Sequence, residues 1–348
     1  MRIGLLTFHF ADNYGALLQA FATVTFLKEY SHDVEVIDFI PQIQSNEIKF
    51  TLKSCLGLIL RLWVWPSRKR RQRTFLRFRR GLPLTRRFFN LDEIDYSKFD
   101  CVITGSDQTF NLNYGFTDIY YQKEVKNVIK IAYAASFGSY DYHQLPANYL
   151  DALRQFDALS LREYQPAHYL STEFNLHVMH VLDPVFLLDK SKWQEILEKP
   201  AEESFVFVYD LNGKDKLIQM AVEQNLNSKI IVFSNDPLWR FKSKFSQKVI
   251  FINDMSVERF LGYLNYASRV YTDSFHGFAF SVLFDKLLTL YIALPKASER
   301  IYSLLSMLKF PIASNNSVLE LDTKQWKANI EPVVAYSKDF LISNLKTE

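Results

Sequence analysis

The chain has 348 residues, 48% of them hydrophobic and 23% charged, with a net charge of +3. Length suggests two domains, at roughly 100–200 residues each, and the composition is that of a folded globular protein, not a disordered one. Two cysteines, Cys55 and Cys101, exclude a disulfide scaffold and a thiolate zinc site; the start MRIGLLTFHFADN reads as a buried strand rather than a signal peptide, and no run of about 18 apolar residues suggests a membrane span, so a reduced, cytoplasmic setting is expected.

Short apolar strands alternate with amphipathic helical stretches. A strand is expected over Arg2–Phe8 and a helix over Ala16–Tyr30, with apolar spacing through Leu17, Ala20, Phe21, Val24 and Leu27. Val34–Ile40 is the next strand. The window between Ile48 and Leu91 then carries thirteen Lys and Arg and no Asp or Glu, leaving 28 basic against 38 acidic residues elsewhere. Such a segment is a local device, read here as a basic helical insertion over about 44–90. Strands follow at Phe99–Thr104, Val128–Ala135 and Ala158–Leu161.

The second half repeats the rhythm. Strands are expected at Phe205–Leu211, Lys229–Ser234, Val249–Ile252, Arg269–Thr272 and Leu287–Ile292. Helices are expected over Lys214–Asn225, over Ser256–Ala267 with Ser256 as N-cap, from near Phe275, over Ser298–Leu308 and over Thr323–Leu345. A βαβ rhythm implies parallel sheets with helices on both faces. The expected organisation is an α/β domain over 1–190, a second over 200–320 and a closing helix over 321–348, with the boundary in the polar stretch between Leu188 and Phe205.

Paired α/β domains bind ligands beyond the carboxyl ends of their strands, so polar groups just after strands are the informative ones. Asn13, Tyr14 and Gly15 stand between a strand and a helix, where free backbone N–H groups and the positive end of the helix dipole suit a phosphate or carboxylate. An ordinary βα loop with a glycine turn would carry the same residues. Gly105, Ser106, Asp107, Gln108 and Asn111 crowd hydrogen-bonding groups behind a buried strand, as an Asx-type turn also would. Arg162, in LSLRE, offers a bidentate donor for an oxyanion, or pairs with Glu163 at the surface; Asp183, in VLDP, reads as a cap. Asp273, Ser274 and His276 fall at a helix start, where a histidine can serve as general acid or base.

Together these segments resemble the polysaccharide pyruvyl transferase family of bacteria. The resemblance runs from Met1 to about Leu308 through TFHFADNYGALLQAFA, FDCVITGSDQTFN, IAYAASFG, LSLRE, VLDPVFLLD, VYTDSFHGFAFSVLF and ASERIYSLLSML, in order. It implies two Rossmann-like domains facing a cleft, similar to the GT-B layout of glycosyltransferases. It also implies transfer of the enolpyruvyl unit of phosphoenolpyruvate onto a sugar, leaving a pyruvate ketal across two hydroxyls.

Carried over by position, His276, Arg162 and the Ser274 region are the expected catalytic or donor-binding set, and Arg300 comes from the last segment; for the chemistry so implied, Asp107 or Asp273 could serve as base toward a hydroxyl. Some branches of the family hold an Arg where Ser274 stands. No cofactor or metal is expected: there is no HExxH-type spacing, and no GxGxxG or GxxxxGK[ST] that would mark a dinucleotide oxidoreductase or P-loop kinase. A glycosyltransferase using a nucleotide sugar would use the same domains and a similar anion site, and a non-catalytic sugar- or lipid-binding module is the third reading.

The insertion places Trp63 and Trp65 before PSRKRRQRTFLRFRR. Aromatic residues beside basic ones suit an anionic membrane surface, and contact through Arg61–Arg80 at the inner face of the cell membrane would suit a lipid-diphosphate-linked oligosaccharide acceptor. A solvated helix packing Phe75, Leu76 and Phe78 on the first domain reads equally from these residues. Nucleic acid is not an expected partner, because the remaining surface is acidic.

Overall fold

The structure is a computed structural model and describes residues 1–41, 52–211, 215–234, 249–292, 299–310 and 317–346, the side chains of 52–65 and 215 excepted. Strands β1 (Arg2–Leu6), β2 (Asp33–Val36), β3 (Cys101–Thr104), β4 (Ile129–Ala135), β5 (Ala158–Leu161) and β6 (Val178–His180) form a parallel sheet in the order β2-β1-β3-β4-β5-β6. A second sheet has the order β12-β11-β10-β7-β8-β9, from β7 (Phe205–Asp210), β8 (Lys229–Ser234), β9 (Val249–Phe251), β10 (Arg269–Thr272), β11 (Leu287–Tyr291) and β12 (Val318–Asp322). It is parallel except for β12, which pairs antiparallel with β11. Central strands such as β7, FVFVYD, are buried along their whole length, as strands covered by helices on both faces must be.

Both sheets are doubly wound, and each reverses its winding at one place: between β1 and β3 in the first, between β7 and β10 in the second. The loops leaving those strands therefore splay apart and open a crevice at the sheet's carboxyl edge. Three of these loops, after β1, β3 and β10, are among those that the sequence marks as polar.

The expected elements differ from the observed ones mainly at their ends. β1 stops at Leu6 because the chain turns back on itself, His9 N donating to Thr7 O (2.8 Å). Helix α1 (Tyr14–Glu29) starts two residues earlier than the apolar spacing indicates, because Asn13 Oδ1 caps it by accepting from Ala16 N (3.3 Å). The short edge strands β6 and β12 carry too few apolar residues to stand out in the sequence. Helix α3 (Ala147–Leu153), helix α4 (Tyr164–Phe174) and helix α5 (Lys190–Ile196) complete the first half and its exit. The starts expected at Lys214 and Ser298 lie outside the described residues; from Asp215–Gln224 (α6) and Glu299–Met307 (α9) onward both helices are present.

Helix α2 (Leu52–Arg80) carries the basic segment, and it lies across both halves. Phe75 is fully buried, its ring 4.9 Å from Tyr14, while Phe78 meets Phe21 at 5.7 Å. Leu76, expected to pack with them, is 42% exposed, because it lies about 100° round the helix from Phe75, off the face that Phe75 and Phe78 share. Buried Arg79 donates from Nε to His9 O (2.8 Å) and from Nη2 to Phe10 O (2.7 Å), bracing the loop between β1 and α1. Arg70 and Arg77 reach the second half, pairing with Asp254 (2.6 Å) and Glu258 (3.3 Å). The side chains of Arg61, Trp63 and Trp65 lie outside the described residues.

Helix α7 (Val257–Tyr266) is capped as expected, Ser256 Oγ accepting from Arg259 N (3.1 Å). Its Phe260 stacks on Tyr14 at 4.3 Å and 13°, and Tyr14 Oη donates to Met255 O (2.8 Å). Tyr14 is thus a wedge through which the two halves share one apolar core. The closing helix α10 (Lys327–Asn344) starts on the second half, where Asn329 Nδ2 donates to Leu308 O (3.0 Å). It ends on the first, where Ser337 Oγ accepts from Leu182 N (3.0 Å) and Phe340 lies 6.1 Å from Tyr133. A 3₁₀ turn at Thr323–Trp326 separates it from β12. Among the described residues no helix is long and apolar enough to cross a membrane.

Exposed pairs such as Arg77–Glu258 contribute about 0–1 kcal/mol each, so the apolar anchor decides whether α2 stays docked. Truncating that anchor, Phe75→Ala, is expected to lower the unfolding free energy by about 3–5 kcal/mol in denaturant titrations. A loss below about 1 kcal/mol would show that the helix is held elsewhere.

Candidate active site

The residues after β1, β3, β5 and β6 meet those at the start of helix α8 (Phe275–Leu283). Ser274 caps α8 by accepting from Gly277 N (3.3 Å), which leaves His276 in the first turn, aimed at the first half. There it lies against Gly15, in the first turn of α1. A Cβ on Gly15 would fall 2.0 Å from His276 Nδ1, so only glycine lets the imidazole approach this closely. The starts of α1 and α8, each a region of positive potential, therefore converge.

His276 Nε2 stands 3.7 Å from Asp183 Oδ2. That carboxylate oxygen also accepts from Arg162 Nη1 (2.8 Å) and Ser106 Oγ (2.9 Å), while Oδ1 accepts from Val185 N (3.1 Å). Burial alone would raise the pKa of Asp183, but His276, Arg162 and the Val185 amide outweigh it and hold the carboxyl well below its usual range. Asp183 is both the cap that its sequence suggests and the centre of the cluster.

Arg162 has its side chain 1% exposed and lies among carboxylates: Asp183, Asp107 Oδ1 at 3.5 Å from Nη2, and Glu163 Oε1 at 3.7 Å from Nε. Glu163 is buried with it, and is not the surface partner that the sequence also allows. Burial would lower the Arg162 pKa; the three carboxylates more than offset that and raise it. Its guanidinium also faces the Phe275 ring at 5.1 Å, a contact across the two halves. Among the described residues no hydrogen-bond partner meets Arg162 Nε or Nη2, Glu163 Oε2, His276 Nε2 or Glu299 Oε1. Buried donors and acceptors of this kind are rare in folded proteins, and each calls for an explanation such as a catalytic role or a bound ion.

The loop after β3 is built to a tight tolerance. A Cβ on Gly105 would touch Leu5 and Thr7 at 3.1 and 3.2 Å. Thr7 Oγ1 donates to Ser106 O (3.0 Å), and Asp107 adopts a left-handed backbone with φ of 77°. That conformation costs about 1–3 kcal/mol for a non-glycine residue and here turns the carboxylate toward Arg162. Gln108 Oε1 accepts from Asn111 Nδ2 (2.8 Å), and Asn111 caps the next turn through Asn113 N (3.1 Å). A bulge in β4 near Ala134, filled by Ser160 Oγ accepting from Ala134 N (3.1 Å), brings Ser136 to donate to Glu163.

The remaining sequence candidates divide. Arg300, in the first turn of α9, is half-buried; burial and Arg162 lower its pKa, while Glu163, Asp107 and Tyr114 raise it, which puts it in the cluster. Asn13 is exposed at the rim and Tyr14 is committed to the core below. Asp273 Oδ1 accepts from Leu211 N (2.8 Å), joining the ends of β10 and β7. Sequence reasoning passed over Ser136, Glu299 and Tyr114, and gave Asp183 and Glu163 only structural readings; the position of Asp183 after a strand was the one signal available. Cavities of about 440 Å³ beside Ala158, Asn175 and Tyr336, and about 480 Å³ beside Phe186 and Lys338, lie away from this cluster.

Two doubly wound α/β domains that present polar loops to each other define a protein of the GT-B type. Similar solved structures share this layout. The UDP-GlcNAc 2-epimerase of Neisseria meningitidis aligns with TM-score 0.52 and 10% identity over 99% of each chain. A putative UDP-N-acetylglucosamine 2-epimerase of Listeria monocytogenes aligns with TM-score 0.51 and 12% identity over 98% of this chain and 90% of that one. No curated protein matches the sequence. The sequence profile of the polysaccharide pyruvyl transferase family matches residues 13–286, and the chain belongs to that family.

Glu299 offers a test of the electrostatics. Burial first, then the Glu163 carboxylate, push its pKa from 4.5 to about 7, against the opposing amide of Gln165. A raised carboxyl pKa means stability that is fully present below pH 4.5 and lost as the pH rises through about 7. The melting temperatures of Glu299→Gln and wild type should therefore coincide below pH 4.5, with the variant higher above about pH 7. A constant offset across that range would contradict the assignment.

Proposed function

We propose that this transferase moves the enolpyruvyl unit of phosphoenolpyruvate onto a sugar of a surface-polysaccharide precursor and closes a pyruvate ketal. The observation that carries the reading is the set of Arg162 and His276 nitrogens that make no hydrogen bond, only longer contacts to carboxylates, buried where two helix starts converge. Phosphoenolpyruvate brings a carboxylate and a phosphate. Arg162 Nε and Nη2, Arg300 and the N–H groups of the α1 and α8 starts supply donors and full positive charge for them. Arg162 is enclosed by carboxylates, so it also fixes Asp183 opposite His276.

In this scheme His276 delivers a proton to the methylene carbon of the donor, and Asp183 steadies the imidazolium. Protonation leaves an oxocarbenium-like carbon, which one sugar hydroxyl attacks, with Asp107 as base. Phosphate leaves, and a second hydroxyl closes the ketal. Of the two hydroxyl protons lost, one balances the new methyl group and the other leaves with phosphate. No metal or cofactor enters.

Incubation with phosphoenolpyruvate and acceptor should release phosphate, and His276→Ala should reduce that release by about 100-fold or more. Near-normal turnover in the variant would remove His276 from the mechanism. Consumption of a nucleotide sugar, with none of phosphoenolpyruvate, would favour glycosyl transfer instead.

A lipid-diphosphate-linked acceptor would place the protein at the inner face of the cell membrane. Arg68, Arg73 and Arg80 of α2 are exposed, and basic residues near an anionic surface contribute about 1 kcal/mol each. Co-sedimentation with anionic liposomes is expected to fall when these three are neutralised. Unchanged binding would set the membrane contact aside.

A further inference from the structure

Beside the cluster stands an aromatic group that the proposed chemistry does not use. The 3₁₀ turn Leu112–Tyr114, ended by Gly115 with φ of 70°, carries Tyr114 out from the loop after β3. The ring is 43% exposed, yet it is braced on three sides. Phe116 stacks on it at 5.6 Å and 20°, Phe8 meets it edge-on at 5.7 Å, and its hydroxyl donates to Gln108 Oε1 (3.2 Å). Phe10, 5.7 Å from Phe8 and 5.8 Å from Phe116, extends the same base.

The ring is also close to the charged centre. Burial raises the Tyr114 pKa and Asp107 adds to it, while Arg300 and Arg162 oppose, so all three charges lie within electrostatic reach of the hydroxyl. A rigid aromatic face left in water loses hydrophobic stabilisation that a buried ring would gain. Holding it still in that position makes physical sense when a ligand covers it.

We infer that Tyr114 is the stacking platform for the pyranose ring that accepts the transferred group. The inference rests on the proposed reading for the identity of the reaction, but its own observation is the braced ring. A pyranose has an apolar C–H face and a rim of hydroxyls. The face would lie on Tyr114, and the rim would reach the Gln108 amide and the Asp107 carboxylate. The same stack sets how far a hydroxyl stands from Arg162 and His276, which makes Tyr114 a determinant of which sugar is accepted. A nucleoside base would also stack on an aromatic ring, but the amide and carboxylate at its edge suit a hydroxyl rim better than a nucleotide's phosphates.

The test uses the full chain and two independent measurements. Saturation-transfer NMR with methyl β-D-galactopyranoside, methyl β-D-glucopyranoside and methyl α-D-mannopyranoside reads the sugar, with uridine as the contrasting probe. Calorimetry reads phosphoenolpyruvate. At least one pyranoside should receive saturation through its ring C–H protons. Tyr114→Ala should weaken that binding about tenfold, Tyr114→Phe and Tyr114→Trp should keep it, and the affinity for phosphoenolpyruvate should stay within about twofold. The side chain is 43% exposed, so these variants are expected to fold, and a melting temperature close to that of wild type in each of them checks it.

Equal pyranoside transfer in wild type and Tyr114→Ala, transfer to uridine alone, or no transfer to any pyranoside would overturn the platform. Each of these leaves phosphoenolpyruvate binding standing as a separate result. Tyr114-dependent pyranoside binding with no heat from phosphoenolpyruvate would support the platform and sink the donor assignment.

Discussion

The buried carboxylate of Asp183 is the contact around which the site is organised. It lies in the first half, accepts from Arg162 and Ser106, and faces His276 from the second half at 3.7 Å. A charge removed from water is tolerated only when it is paired and hydrogen-bonded, so the position of Asp183 constrains the residues around it. Arg162 must lie beside it, the loop after β3 must turn Ser106 inward, and the imidazole must come close enough to share its field. Each requirement traces back to a local feature: the end of β5, the left-handed Asp107, the glycine at position 15.

The halves are joined by apolar contacts at some remove from the charges. Tyr14 is wedged against Phe260 and Phe75, and α2 and α10 each span both halves. This division has a physical sense. Close packing is stiff and fixes the distance between the two helix starts, whereas ion pairs alone would leave it free to vary. The basic helix is therefore an architectural part before it is anything else: Arg79 braces the loop that leads to Gly15, and Arg70 and Arg77 reach across. Its exposed arginines are what remain for a surface.

The charge pattern is balanced to an unusual degree. Two arginines face Asp107, Asp183 and Glu163, Glu299 lies in the field of Glu163, and burial raises the pKa of both glutamates while Asp183 is held ionised. A site balanced this way can accept an anion while a glutamate takes a proton, so binding and protonation are coupled by electrostatics alone. The proposed chemistry, in which protons move onto carbon and off hydroxyls, would draw on that coupling.

Period and turn residues in the sequence specified the α/β architecture, because buried parallel strands are continuous apolar runs and glycine or capping residues mark their exits. They also marked the loops of Asn13, Asp107, Arg162 and His276, since polar residues right after such strands stand out. What they left open was decided by distance across the chain. That Asp183 is more than a cap, that Glu163 is buried with Arg162, that Tyr14 packs into the core and that Tyr114 stands beside the cluster all depend on which loops the doubly wound topology brings together. Ser106, 77 positions before Asp183, and His276, far beyond it in the second half, meet there, and no local pattern encodes that meeting.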